Sequence, residues 1–189
     1  WKSYESGSRW RYILMDLDVS LGTNGWAPAS FDVLGRVMGS YGDTNRHVQI
    51  FRSLLQNFEF KEYFINRYAD IANTLFTPEN MRNHILNVRD RIAGEMPLHF
   101  LKWGNDMQGW DQEIFNVVMP YIDQRPAYAM EQVRNVFSLT GIHELELDVW
   151  PPGAATIQIN TIRPTPLPWK GNYFDGNMIT LRVIPNPGF

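Results

Sequence analysis

From Val48 to Ser138 the apolar residues recur at spacings of three and four, and from Ile142 onward they alternate. That change of period constrains the fold more than any single motif. A 3.6-residue repeat buries one stripe of a helix, whereas a two-residue repeat buries one face of a strand. The chain is therefore expected to be α+β: a mostly helical part, then a small antiparallel β-rich segment. The boundary falls near residues 139–143, which divides the chain into 1–140 and 141–189.

The helical part divides at its capping signals. Val48–Gln56 forms a short helix with Ile50, Phe51, Leu54 and Leu55 inward. Asn57 caps the next, which runs to about Phe76 on a stripe of Phe60, Phe64, Tyr68, Ile71 and Leu75. Thr77-Pro78-Glu79 is a helix start: a capping hydroxyl, a proline at the first position and an acid in the first turn. Met81, Ile85, Val88, Ile92 and Met96 continue that helix, and Pro97 ends or kinks it. Trp110, Ile114, Val117 and Tyr121 mark another helix, with Trp103 and Trp110 clamping the turn before it. Arg125-Pro126 starts the last helix, which runs to about Ser138. Three alternating runs come after it, ELELDVW, TIQINTI and MITLRVI. They suggest the opening of a sandwich. The stretch from Trp169 to Gly176 is expected to be a loop whose aromatics seal a thin β layer. Trp150, Trp169, Tyr173 and Phe174 as a sugar-stacking platform is the functional alternative.

Composition excludes several classes. The 189 residues contain no cysteine, which removes disulfides, thiolate catalysis and Cys-ligated zinc. A formal charge of -3 argues against nucleic-acid binding. No apolar stretch reaches the roughly 20 residues that span a bilayer. His47, His84, His99 and His143 lack ligand spacing. Arg82, Arg89 and Arg91 read as a solvated helix face rather than a phosphate site. The chain opens at Trp1 without a methionine and is expected to be a piece of a longer protein.

The chemistry centres on RYILMDLDVSLG, Arg11–Gly22. Residues 9–18 read as a strand covered on both sides. Trp10, Tyr12, Leu14, Asp16 and Asp18 share one face, so both carboxylates project on the same side at its C-terminal end. A loop holding five glycines spans residues 19–46, with Asp32 and Asp43 as solvated turn residues. Three enzyme classes place acids this way: a phosphatase with an Asp nucleophile, a glycosyltransferase with a metal-bound sugar nucleotide, and a kinase with an Asp on the Mg²⁺ of ATP. The first two require βα units around the acids, and here helices come next instead. Capping of the adjoining turn is the structural reading of the same pair.

The order of the strings WRYILMDLDVSLG, LLQNFEFKEYFINRYADIANTLFTPENM, EMPLHFLKWG and YIDQRPAY resembles the CotH kinase family, the spore-coat-protein-H-like atypical protein kinases. The resemblance covers roughly residues 8–138. It implies a kinase-like C-terminal lobe, ATP with Mg²⁺ as cofactors, and phosphate transfer to Ser or Thr of a partner protein. It implies Asp16 as the cofactor- and metal-binding residue, with Asp18 as a second metal ligand. It places the family's ATP-binding Lys and catalytic Asp upstream of the strand. The chain is therefore expected to hold no complete catalytic set, and to bind ATP weakly or not at all by itself. A secreted or envelope-attached bacterial protein is the location the resemblance implies. A non-catalytic surface or adhesion module, whose β-rich tail contacts a glycan or protein partner, is the alternative.

Overall fold

The computed structural model describes Gly7, residues 20–40 and residues 45–189. The expected strand over 9–18 lies outside the described residues. The architecture is α+β. Single-turn α1 (Val33–Gly35) leads into a π turn over Arg36–Ser40. Then come α2 (Arg46–Leu54), α3 (Phe58–Ala72), α4 (Pro78–Ile92), α5 (Met96–Trp103) and α6 (Met107–Glu113). A second π turn over Ile114–Val118 joins α6 to α7 (Met119–Val136). The tail holds β1 (Gly141–Leu147), β2 (Ala155–Ile159), β3 (Trp169–Asp175) and β4 (Leu181–Pro185).

The caps form where side-chain oxygens are available to the first free amides. Asn57 Oδ1 accepts from the Phe60 amide at 2.8 Å, and Thr77 Oγ1 from the Asn80 amide at 3.3 Å. Asn45 caps α2 in the same way, through the His47 amide at 2.9 Å.

Several expected boundaries shift. Pro97 does not end α4: that helix stops at Ile92, and Pro97 sits in the first turn of α5, where a missing N–H costs no hydrogen bond. Arg125-Pro126 does not start a helix. Pro126 lies inside α7, whose Ile122, Ala129, Met130 and Val133 are buried. Their burial outweighs the helix-interior penalty of about 3 kcal/mol for proline. Trp103 stays largely exposed, so it clamps nothing; Trp110 packs edge-on to Phe100. Phe51 of α2 and Leu55 at its C-terminal cap turn inward, while Ile50 and Leu54 face out. The buried side of α3 is Ile65, Ala69 and Asp70, and Leu75 lies exposed beyond the helix end.

β1 pairs antiparallel with β3, and β2 with β4, as two separate two-stranded sheets. β3 replaces the loop expected at Trp169–Gly176. Gly171, inside that strand, leaves room for the Trp169 indole, which a side chain at that position would overlap. Tyr173 and Phe174 do seal the layer, both buried.

One cluster of buried side chains unites the two parts. Ile65 and Ala69 of α3, Met130 and Val133 of α7, and Leu34 of α1 pack with Leu147, Ile157, Ile159, Tyr173 and Phe174 of the strands. A second cluster lies between helices, where Ile114, Val118, Met119 and Ile122 meet Met81, Ile85, Leu86, Trp110 and the loop residue Leu21.

Candidate functional site

Asp16 and Asp18 lie outside the described residues; the described chain resumes at Ser20, just after them. A sharp turn begins at that serine. Thr23 donates both its amide (3.1 Å) and its hydroxyl (2.7 Å) to the Ser20 carbonyl. Leu21 and Gly22 both hold positive φ, at 57° and 81°. That conformation is costly for leucine and free for glycine. A side chain at Gly22 would also meet the Tyr121 ring at 3.0 Å. The turn thus lays the loop directly on α7, and Leu21 packs into the inter-helix cluster, which offsets its backbone strain.

The loop expected over residues 19–46 is clamped in place further along. Arg125 Nη1 donates to the carbonyls of Ala29 and Phe31, both at 2.8 Å. Its Nη2 donates to Gln132 Oε1 at 3.0 Å. Gln132, itself buried, uses its Nε2 to donate to the carbonyls of Phe31 (3.0 Å) and Ser30 (3.2 Å). A guanidinium fork and a primary amide, seven residues apart on one helix face, satisfy three consecutive carbonyls. Ala29 is buried as a result, and Asp32 caps α1 through the Gly35 amide at 2.7 Å. Asp32 is therefore a structural cap rather than a free turn carboxylate.

Between the turn and the clamp lies an apolar cavity of about 350 Å³, lined by Leu21, Tyr68, Phe76, Met81, Tyr121 and Arg125, among others. Burial raises the pKa of the Tyr68 phenol, with Arg125 pulling it partly back, so it faces this region as a neutral donor.

Two of the three arginines on α4, Arg82 and Arg89, are engaged by carboxylates. Arg82 makes a two-pronged pair with Asp123 of α7. Arg89 reaches Asp111 of α6 at 2.6 Å and Asp90 at 2.8 Å. The hydrogen bond from Arg82 holds the Asp123 carboxyl below its ordinary range. Arg89 also lies over the Trp110 ring, 5.5 Å from its centroid. Among the described residues no group of three His, Asp or Glu side chains is placed to hold a metal ion. No helix among them is long and apolar enough to cross a membrane.

Sequence reasoning missed Asp70. It is fully buried in α3 and takes every donor it needs from the β tail. The Thr161 hydroxyl (2.5 Å) and amide (2.9 Å) bind one oxygen; the Tyr173 hydroxyl (2.9 Å) and Asn160 Nδ2 (3.4 Å) bind the other. The signal was an acid inside the apolar string RYADIA, one residue from the buried Ala69. The four-aromatic platform is not assembled: Tyr173 and Phe174 are buried, while Trp150 stands 87% exposed.

These features define an α+β protein in which a turn and loop, directly downstream of a carboxylate pair, are fastened to the longest helix of a helical layer that a small β tail closes. The family model for the CotH kinase protein matches residues 1–129, more than half of the chain, and the chain belongs to that family. Comparison with curated proteins finds no match, and comparison with solved structures finds none.

Proposed function

We propose that the chain forms the metal-binding and helical portion of an ATP-dependent protein kinase that phosphorylates Ser or Thr of a partner protein. The observation that carries this reading is the family match, which spans Asp16, Asp18 and the helical layer as far as residue 129 of α7. The fastened loop supports it. Phosphoryl transfer is catalysed mainly by positioning and charge stabilisation, so the segment bearing a metal-binding carboxylate must be held rigidly. The Arg125–Gln132 clamp and the Leu21–Gly22 turn hold the chain immediately beyond that segment.

The donor chemistry fits the cation. Carboxylate oxygens are hard ligands suited to Mg²⁺, which is typically held by one or two of them together with substrate phosphates. Asp16 would hold the ion, with Asp18 as second ligand, and the bound Mg²⁺ supplies charge neutralisation at the β- and γ-phosphates. The upstream Lys and catalytic Asp of the family would complete the set. A bacterial protein exported to the cell surface or spore coat is the setting this reading favours.

The test is a thermal-shift titration of the intact protein with ATP, with and without Mg²⁺. A Mg²⁺-dependent rise in Tm that disappears in Asp16→Asn is expected. An unchanged rise in that variant would remove Asp16 from the metal site.

A further inference from the structure

The tail carries one open edge whose chemistry specifies what it takes. In the β2–β4 pair, Asn160 N–H donates to the Thr180 carbonyl at 2.8 Å, and Asn186 N–H to the Ala154 carbonyl at 2.9 Å. Both bonds join even-numbered residues on either end of the register, which pairs Thr156 with Ile184 and Gln158 with Arg182. In an antiparallel ladder the intervening residues turn their N–H and C=O groups away from the partner. The backbone groups of Leu181 and Val183 therefore point outward, off the sheet. Pro185, next in that outward series, has no N–H to leave unpaired.

The side chains of those two residues are also open. Directly opposed residues share a face, so Leu181 and Val183 lie on the face of Ile159 and Ile157. The isoleucines are buried, yet Leu181 is 50% and Val183 61% exposed. The core that covers β2 stops short of β4. Other outer edges are engaged. Asn73, at the end of α3, closes β3 by exchanging two hydrogen bonds with the Asn172 backbone, at 2.8 and 2.7 Å. Ile162 bridges to Ile159 of β2. β1 carries the exposed acids Glu144 and Glu146, which deter edge pairing.

On the opposite face of the β2–β4 pair the charge is positive. Arg182 is exposed there, and Arg163 joins it by donating to Gln158 Oε1 at 3.3 Å. Among the described residues neither guanidinium has a carboxylate within ion-pair distance.

We infer that β4 is a docking edge for an extended partner segment in which apolar residues alternate with carboxylates. Its backbone continues the sheet through Leu181 and Val183. Its apolar side chains cover those two residues, and its acids face Arg182, with Arg163 adding positive charge on the same face from across β2. The unpaired backbone groups select a strand over a helix or a lipid surface, and the two arginines select acidic over basic sequence. This surface is independent of phosphoryl transfer and operates whether or not the kinase reading holds.

The probe is a synthetic peptide of alternating valine and glutamate, titrated into the full chain by fluorescence anisotropy, with hydrogen exchange read at individual amides. Saturable binding is expected, with new protection at the Leu181 and Val183 amides. Val183→Pro removes an outward donor without touching the β2 ladder and should weaken binding roughly tenfold or more. Arg182→Glu should shift preference toward a valine–lysine peptide, and it decides the matter if the proline variant does not fold. The inference fails if the peptide does not bind below about 1 mM. It fails equally if a block-arranged isomer binds as well, if both variants bind like the parent, or if the edge proves occupied by a second copy of the chain.

Discussion

At the scale of single residues, Asp70 and Tyr173 hold the helical and β parts together. The Asp70 carboxylate satisfies the Thr161 amide and hydroxyl and the Tyr173 phenol inside the core. Asp70→Ala takes the acceptor from the buried Tyr173 phenol and from the part-buried Thr161 amide and hydroxyl, at about 1–3 kcal/mol for a fully buried group and less for a part-buried one. A loss of about 3 kcal/mol or more is expected in urea unfolding, against about 1–2 kcal/mol for Tyr173→Phe. The same pair predicts a pH dependence. Burial, and after it the Asp70 charge and hydrogen bond, push the Tyr173 phenol well above its ordinary range. A group whose folded pKa is raised contributes its stability in full below the unfolded value, about 10 for tyrosine. That stability is lost as pH climbs past it. Alkaline unfolding should therefore set in above pH ~10, with a shallower slope in Tyr173→Phe, measured as urea midpoint against pH. Burial of Tyr68 adds a slope of the same sign, so the phenylalanine variant keeps part of it.

At the scale of elements, two helix starts were legible because a cap is local chemistry. Asn57 and Thr77 sit where the sequence places them, each accepting from the amide three residues on. Replacing either by alanine should cost about 1 kcal/mol, and both together about 2 kcal/mol, in equilibrium denaturation; their separate helices make the effects additive. The prolines were misread for a related reason. Pro97 was expected to end a helix and Pro126 to start one, but Pro97 occupies a first turn where its ring is harmless and Pro126 is carried through inside α7 by that helix's burial. β3 was missed because Lys170-Gly171-Asn172 has turn composition, and only the Trp169 indole above Gly171 explains the glycine.

At the scale of the whole molecule, the tail and the helices share one core. Half of the main buried cluster comes from β1, β2 and β3, and every hydrogen bond that Asp70 accepts through its side chain comes from the tail. Removing residues 141–189 would expose Ile65, Ala69, Met130 and Val133 and strand the Asp70 charge in apolar surroundings. A chain ending at Thr140 is expected to lose its cooperative thermal transition and bind a hydrophobic dye, in circular dichroism and fluorescence side by side. A sharp transition near the parent Tm would show that the helical layer stands alone.

The amino-acid sequence alone determined the α+β class, the caps at Asn57 and Thr77 and the family, because local capping chemistry, hydrophobic period and the order of strings are properties of the chain itself. The placement of Asp16 and Asp18 on a nucleotide-bound metal stays a reading of that sequence. Tertiary structure decided the rest. It turned Arg125 and Gln132 into a clamp on residues 29–31 and made Asp70 the joint between helices and strands. It also left the β4 edge uncovered. Each depends on groups brought together from about 20 to more than 100 positions apart, and spacing along a chain carries no information about which distant donor meets which acceptor.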